Sequence, residues 1–211
     1  MNYHWQYGRR YHAYKEGSYK FPNDEREQDR LDMLHNMFRL VLHGKVPPNV
    51  VFEVDDVESE WPSRAPFDFI HSRYMCGSIE DWPRLTQQAH DQLKPGGWIE
   101  FQEFHLVNYS EDGSWRDGNS VNRFYELLQE ALDRINRPVT IGKDLKRIIE
   151  ETGFVNVQHE VFQLPLGTWP RERRMKEIGA LNMRQMLEGL EAFSAATKDA
   201  RDRGVHMMHD L

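Results

Sequence analysis

Apolar residues along this chain fall into two rhythms, helical and strand-like, in alternation. Leu31, Leu34, Phe38 and Leu42 repeat at helical spacing, which predicts a helix from about Glu25 to His43. Asp24 suits its N-cap, Glu27 stands at the capping-box position and Gly44 is a fitting stop. VVFEV (50–54) is continuous and β-branched, as in a strand covered on both faces, and FDFIH (67–71) is a second strand. Leu85, Ala89 and Leu93 then mark a helix with Asp81 near its cap and Pro83 in its first turn. Lys94-Pro95-Gly96-Gly97 ends it, and WIEFQEF (98–104) reads as a third strand.

The second half opens with Val121, Phe124, Leu128, Leu132 and Ile135 on one helical face. A shorter helix from Leu145 to Thr152 stops at Gly153, and VNVQHEVFQL (155–164) alternates like an edge or antiparallel strand. A last amphipathic helix carries Met175, Ile178, Asn182, Met186, Leu190 and Phe193. Strands alternating with helices in this way predict an α/β fold with a mainly parallel sheet.

The N-terminus has no such rhythm. Tyr3, Trp5, Tyr7, Tyr11, Tyr14, Tyr19 and Phe21 crowd it without a period, which predicts an aromatic arm over 1–24 and a single domain over 25–211. The rings serve either to staple the arm to the body or to stack on a ligand.

Composition narrows the class. With 39% hydrophobic and 12% aromatic residues in 211, the chain supports a folded core. A formal charge of −7 with no basic stripe argues against direct nucleic-acid binding. The single cysteine, Cys76, fits a reducing intracellular compartment, and no apolar run suggests a leader or a membrane span.

Three runs, VPPNVVFEVDDVESEW, FDFIHSRYMCGSIEDWPRL and LKPGGWIEFQEF, resemble the LaeA-like branch of fungal class I S-adenosylmethionine-dependent methyltransferases. The spacing of Tyr11, Tyr14, Gly17, Tyr19 and Pro22-Asn23-Asp24 up to Glu27 is similar to that family too, as are IGKDLKRIIEETGFVNV and MLEGLEAFS. The resemblance implies a Rossmann-like, mostly parallel sheet and S-adenosylmethionine as cofactor. It also implies a Gly-rich loop after the first strand, because only glycine lets the backbone approach a ligand while turning into a helix. An acidic residue for the ribose would follow at the end of the second strand.

The chain departs from that pattern. It contains no G-x-G, and only about five residues separate Gly44 from Val50, where a strand–helix–strand unit needs roughly 30. The first two strands, the cofactor loop and the ribose carboxylate are therefore absent from the sequence. KDARDRGVHMMHDL resembles the approach to a final strand that is likewise not evident. The expectation is an incomplete sheet.

Of the cofactor contacts that the resemblance implies, Asp56 and Val57 remain on the adenine side, with His71 and Arg73 at the carboxyl end of the next strand. His71 and Glu103 are the candidate bases, although methyl transfer is an in-line displacement in which positioning supplies most of the catalysis. Each has a structural alternative: a solvated strand-end carboxylate pair at Asp55-Asp56, a turn histidine, a structural glutamate. His206 and His209 lack a third ligand, so no metal is expected.

Three functions stay open. The first is a methyltransferase linked to fungal secondary metabolism, with a small-molecule or protein acceptor, in cytoplasm or nucleus. The second is a non-catalytic relative that works through a protein partner, and the third is an incomplete splice or gene-model product.

Overall fold

The computed structural model describes residues 3–13, 21–42, 56–62, 65–110, 112–114 and 119–209. The strand expected over 50–54, and Asp55 after it, lie outside them. The chain divides into two compact units, Met1–Glu53 with Glu160–Ala196 and Val54–His159 with Thr197–Leu211.

The first unit begins with strands β1 (Tyr3–Gln6) and β2 (Arg9–His12), paired antiparallel with Trp5 opposite Arg10. Tyr7 and Gly8 join them, both at positive φ (52° and 73°), as a two-residue type I′ turn demands. So the aromatic arm is a hairpin. Tyr3, Trp5 and Tyr7 are exposed on it, and charges hold it in place. The Arg9 guanidinium donates to both oxygens of Asp24, at 2.5 and 2.8 Å, and Arg10 donates to the Asn23 carbonyl at 2.7 Å and to Glu25 at 2.9 Å. The boundary expected at residue 24 thus falls inside this unit.

Asp24 caps α1 (Glu25–Leu42) by accepting from the Glu27 amide at 3.0 Å. Glu27 does not reach back as a capping box would. It is buried and grips Arg30 with both oxygens, at 2.6 and 3.0 Å. Arg30 also donates to Gln185 at 3.1 Å and stacks over Phe193 at 5.3 Å. Phe193 and Gln185 belong to α5 (Arg173–His209). At the other end of α1, Arg174 donates to the Leu40 and Val41 carbonyls at 2.9 and 2.8 Å, satisfying groups that a helix terminus leaves orphaned. Leu34, Met37, Phe38, Ile178, Ala192 and Phe193 are among the unit's buried apolar side chains, and Phe21, also buried, stands edge-on to Phe193.

The second unit is a parallel β–α–β crossover with further helices. β3 (Phe67–Arg73) pairs in parallel with β4 (Leu93–Gln102), and α2 (Trp82–Asp91) connects them. Asp81 caps α2 by accepting from the Arg84 amide at 2.9 Å. Phe67 pairs with Leu93, but the next pair is Phe69 with Trp98, so Lys94 to Gly97 bulge out of the ladder. The glycines are required there: Gly96 has φ 82°, and a Cβ on Gly97 would stand 2.9 Å from the Lys94 carbonyl oxygen. The continuous ladder therefore starts at Trp98, where the apolar pattern of WIEFQEF begins.

After β4 come α3 (Ser120–Asp133), a 3-10 turn (Ile141–Lys143) and α4 (Leu145–Thr152), which Gly153 ends at φ 107°. Cys76, Ile79, Trp82, Leu85, Ile141, Leu145 and Ile148 form the core, with Phe101 of β4 packed against it. The alternation over 155–164 predicts a strand, but the chain there is irregular, with Val155 and Val161 about four-fifths exposed. Alternation makes a strand only where a neighbour can complete the ladder, and among the described residues none does.

Candidate functional site

The carboxyl ends of β3 and β4 are where an open α/β sheet places its ligands. Pleating decides what gathers there. His71 and Arg73 share a face with their register partners Glu100 and Gln102, while Phe101 turns to the core. On the outer face His71 Nδ1 lies 2.8 Å from Glu100, Glu100 accepts from Gln102 at 2.8 Å, and Gln102 accepts from Arg73 at 2.6 Å. Burial of the Arg73 guanidinium lowers its pKa below the usual arginine value, with Glu100 opposing that shift.

Glu103 belongs to the other side. Its carboxylate accepts from the Met75 amide at 2.8 Å and from the Cys76 amide at 2.9 Å. Those amides converge because Tyr74 adopts φ 57°, which turns the chain sharply just beyond β3. Burial pushes the Glu103 carboxyl up to about 7, outweighing the two amide bonds that favour its charged form. The same burial, with Glu103 beside it, raises the Cys76 thiol far above its ordinary value and makes it an inert core group. His71 and Glu103, the two candidate bases, are thus placed on opposite faces, each committed to its own partners. His105 is exposed, with Nδ1 3.2 Å from the Thr140 carbonyl.

Asp56 folds back on its own turn. It accepts from the Glu58 amide at 3.0 Å and the Ser59 hydroxyl at 3.2 Å. The Val57 carbonyl accepts from the Trp61 indole at 2.8 Å. Sequence reasoning gave no weight to Glu58 and Arg137, which organise this corner. Glu58 accepts from the Glu80 and Asp81 amides at the start of α2, and Arg137 bridges Glu58 and the Ser78 carbonyl. A lone arginine before a proline carries no pattern that would have revealed that role.

S-adenosylmethionine needs an acceptor–donor pair for its adenine and a carboxylate for its ribose. Among the described residues Asp56 already accepts from the Glu58 amide and the Ser59 hydroxyl, the polar row on the outer face is bonded within itself, Glu103 accepts from the Met75 and Cys76 amides, and none is a carboxylate at the end of a second strand that would take the ribose. Among the described residues, no group of three or more His, Cys, Asp or Glu side chains could hold a metal ion. No helix among them is long and apolar enough to cross a membrane.

Comparison with known proteins agrees with the architecture. A methyltransferase-domain family model matches residues 19–159. Methyltransferase pytC of Aspergillus terreus is 37% identical over 245 residues, covering 93% of this chain and 76% of that protein. Secondary metabolism regulator LAE1 of Cochliobolus heterostrophus is 29% identical over 243 residues, covering 90% and 79%. Probable methyltransferase tdiE of Emericella nidulans is 33% identical over 148 residues, 70% of this chain and 46% of that protein. No solved structure matches.

These lengths carry information. The pytC alignment runs over 245 positions, yet 93% of a 211-residue chain is about 196 residues, so about 49 positions have no counterpart here. LAE1 gives a similar surplus, since 90% of this chain is about 190 residues against 243 positions. The tdiE alignment has none, because 148 residues is already 70% of 211. A deficit of that size leaves room for the strand–helix–strand unit found wanting between Gly44 and Val50, which needs roughly 30 positions. With its parallel β3–α2–β4 crossover and its family match over two-thirds of the sequence, the chain belongs to the LaeA-like fungal methyltransferases, with an incomplete Rossmann-like sheet.

Proposed function

We propose that this protein acts in fungal secondary metabolism, in cytoplasm or nucleus, as a methyltransferase-fold protein that does not by itself hold S-adenosylmethionine and that works through protein contact. The link to secondary metabolism rests on the relatives, among them a protein named secondary metabolism regulator LAE1. The observation that carries the non-catalytic reading is the deficit of roughly fifty aligned positions against pytC. The engagement of Asp56 with Glu58 and Ser59 supports it.

A second reading is kept alive by Glu103. A carboxyl pushed up to about 7 at the end of a parallel strand has the proton affinity of a general base. In that reading Glu103 or His71 would take a proton from a small-molecule or protein acceptor, and Asp56, Val57, His71 and Arg73 would line the cofactor. Calorimetric titration of the full chain with S-adenosylmethionine separates the two. The non-catalytic reading expects no saturable heat from a protein that melts cooperatively. Saturable binding in the micromolar range would overturn it.

A further inference from the structure

The exposed side of α5 is a feature that neither reading uses. Its buried side chains, Ile178, Gln185, Ala192 and Phe193, gather on one side of the helix, where Gln185 and Phe193 meet Arg30 of α1. Met183, Leu187 and Leu190 fall on the opposite side, at i, i+4 and i+7, and are 41%, 58% and 38% exposed. Trp169, also exposed, extends the patch. A Cβ on Gly167 would meet Trp169 Cδ1 at 3.8 Å and Met183 Sδ at 3.9 Å, so the indole flanks Met183. Single apolar side chains in water need no explanation, but a stripe of three beside a tryptophan marks a contact surface.

The charges beside the stripe say what fits it. Arg184 and Glu191 are both exposed and stand two helical turns apart, so they flank the same side of the stripe. Among the described residues Arg184 makes no ion pair. Glu191, with its side chain 66% exposed, receives Arg26 on Oε2. Leu187 lies between them, three positions after Arg184 and four before Glu191. A two-fold axis in the interface at Leu187, perpendicular to the helix, lays a second α5 antiparallel on the first and keeps each flank on its own side. Leu187 then meets Leu187, Met183 lies beside Leu190 of the second copy, and Arg184 of each copy faces Glu191 of the other.

From this self-complementarity of shape and charge we infer that the Met183–Leu187–Leu190 face is covered by the same face of a second copy of this chain, packed antiparallel and held by two Arg184–Glu191 pairs. The contact is small. Two turns of helix bury less than the roughly 1,200 Å² of a standard interface, and two chains of formal charge −7 repel at long range. The dimer is therefore weak and forms with rising concentration. Neither functional reading bears on it.

Sedimentation equilibrium of the full chain over a concentration series tests the contact. A monomer–dimer equilibrium is expected, weakened roughly tenfold or more by Leu187→Glu, which sets two like charges on the two-fold axis. Leu187 is exposed in the single chain, so the variant should keep the parent's circular dichroism and melting curve. Arg184→Glu should weaken the dimer too, and adding Glu191→Arg should restore it, because the exchanged pair has the same complementarity. Arg26 keeps Glu188, at 3.5 Å, in that double variant. A chain that stays monomeric at every concentration would overturn the proposal. So would a dimer indifferent to Leu187→Glu, or one weakened by Arg184→Glu that the exchanged pair fails to rescue.

Discussion

At the residue scale the chain concentrates its electrostatic strain at Glu103. Unfolded, this glutamate titrates near its ordinary 4.5, whereas in the fold burial pushes it up to about 7. The folded state thus keeps a proton that the unfolded state has already released. The stabilisation is complete below about pH 4.5 and is lost as pH rises through about 7, with an upper bound of about 3 kcal/mol. Glu103→Gln cannot ionise, so urea midpoints at pH 5 and pH 8 should lie closer together in the variant than in the parent. Equal spacing in both would show that the carboxyl is not buried as described. The Glu27–Arg30 pair poses a different problem, because both side chains are only 2% exposed. Arg30→Met strands a carboxylate in the core and should cost about 3–5 kcal/mol. Adding Glu27→Leu should restore much of that, a coupling that a double-mutant cycle in urea would read directly.

At the element scale, what was legible in the sequence follows from where each signal resides. Helices α1 to α4 announce themselves because period and most caps are local: Asp24 and Asp81 each bond an amide of the first turn and Gly153 takes the left-handed stop, whereas the Asn119 cap of α3, which bonds the Asn122 amide, was not read from the sequence. The N-terminal hairpin was not legible. Its turn is Tyr7-Gly8, where Asn-Gly or Asp-Gly would be the recognisable pair, and its anchors are long-range arginine contacts. Residues 155–164 mislead the other way, since their alternation is real but a ladder also needs a neighbour. The site was legible only as a set of positions, because the bonds that commit Asp56, His71 and Glu103 depend on turn geometry and on strand register. Some packing rules are invisible in sequence altogether. Gly179 of α5 accepts from the Gly167 amide at 3.0 Å, and a Cβ there would sit 2.0 Å from the Gly167 carbonyl oxygen. Gly179→Ala must move backbone against backbone, and we expect a loss of about 3 kcal/mol in chemical denaturation. At Gly189 the nearest atoms are the Phe193 ring and the Arg30 side chain, which can shift, so Gly189→Ala should cost less. The reverse order would refute the close helix–loop contact.

At the scale of the whole molecule, a Rossmann-like sheet that lacks a strand–helix–strand unit on one side loses both a ligand loop and the cover of one face. The surviving crossover still buries Trp82, Leu85 and Phe101 on its inner face, so the second unit keeps a core. Its outer face is left with Phe69 and Trp98 in water, and the chain has no glycine loop to turn toward a nucleoside. One substitution cannot repair this, since a loop that approaches a ligand needs both the glycines and the strand that aims them. A graft can. Inserting the pytC residues that align between Lys45 and Val46 should restore the missing strands, bury Phe69 and Trp98, and produce saturable S-adenosylmethionine binding where the proposed reading expects none from the parent. Tryptophan fluorescence of the graft should shift to shorter wavelength, and a Trp98→Phe version of it should lose part of that shift. Calorimetry then decides the cofactor question. A graft that folds cooperatively, buries its rings and still gives no heat would show that the deficit of roughly fifty positions does not by itself govern cofactor binding, and the proposed non-catalytic reading would lose the observation that carries it.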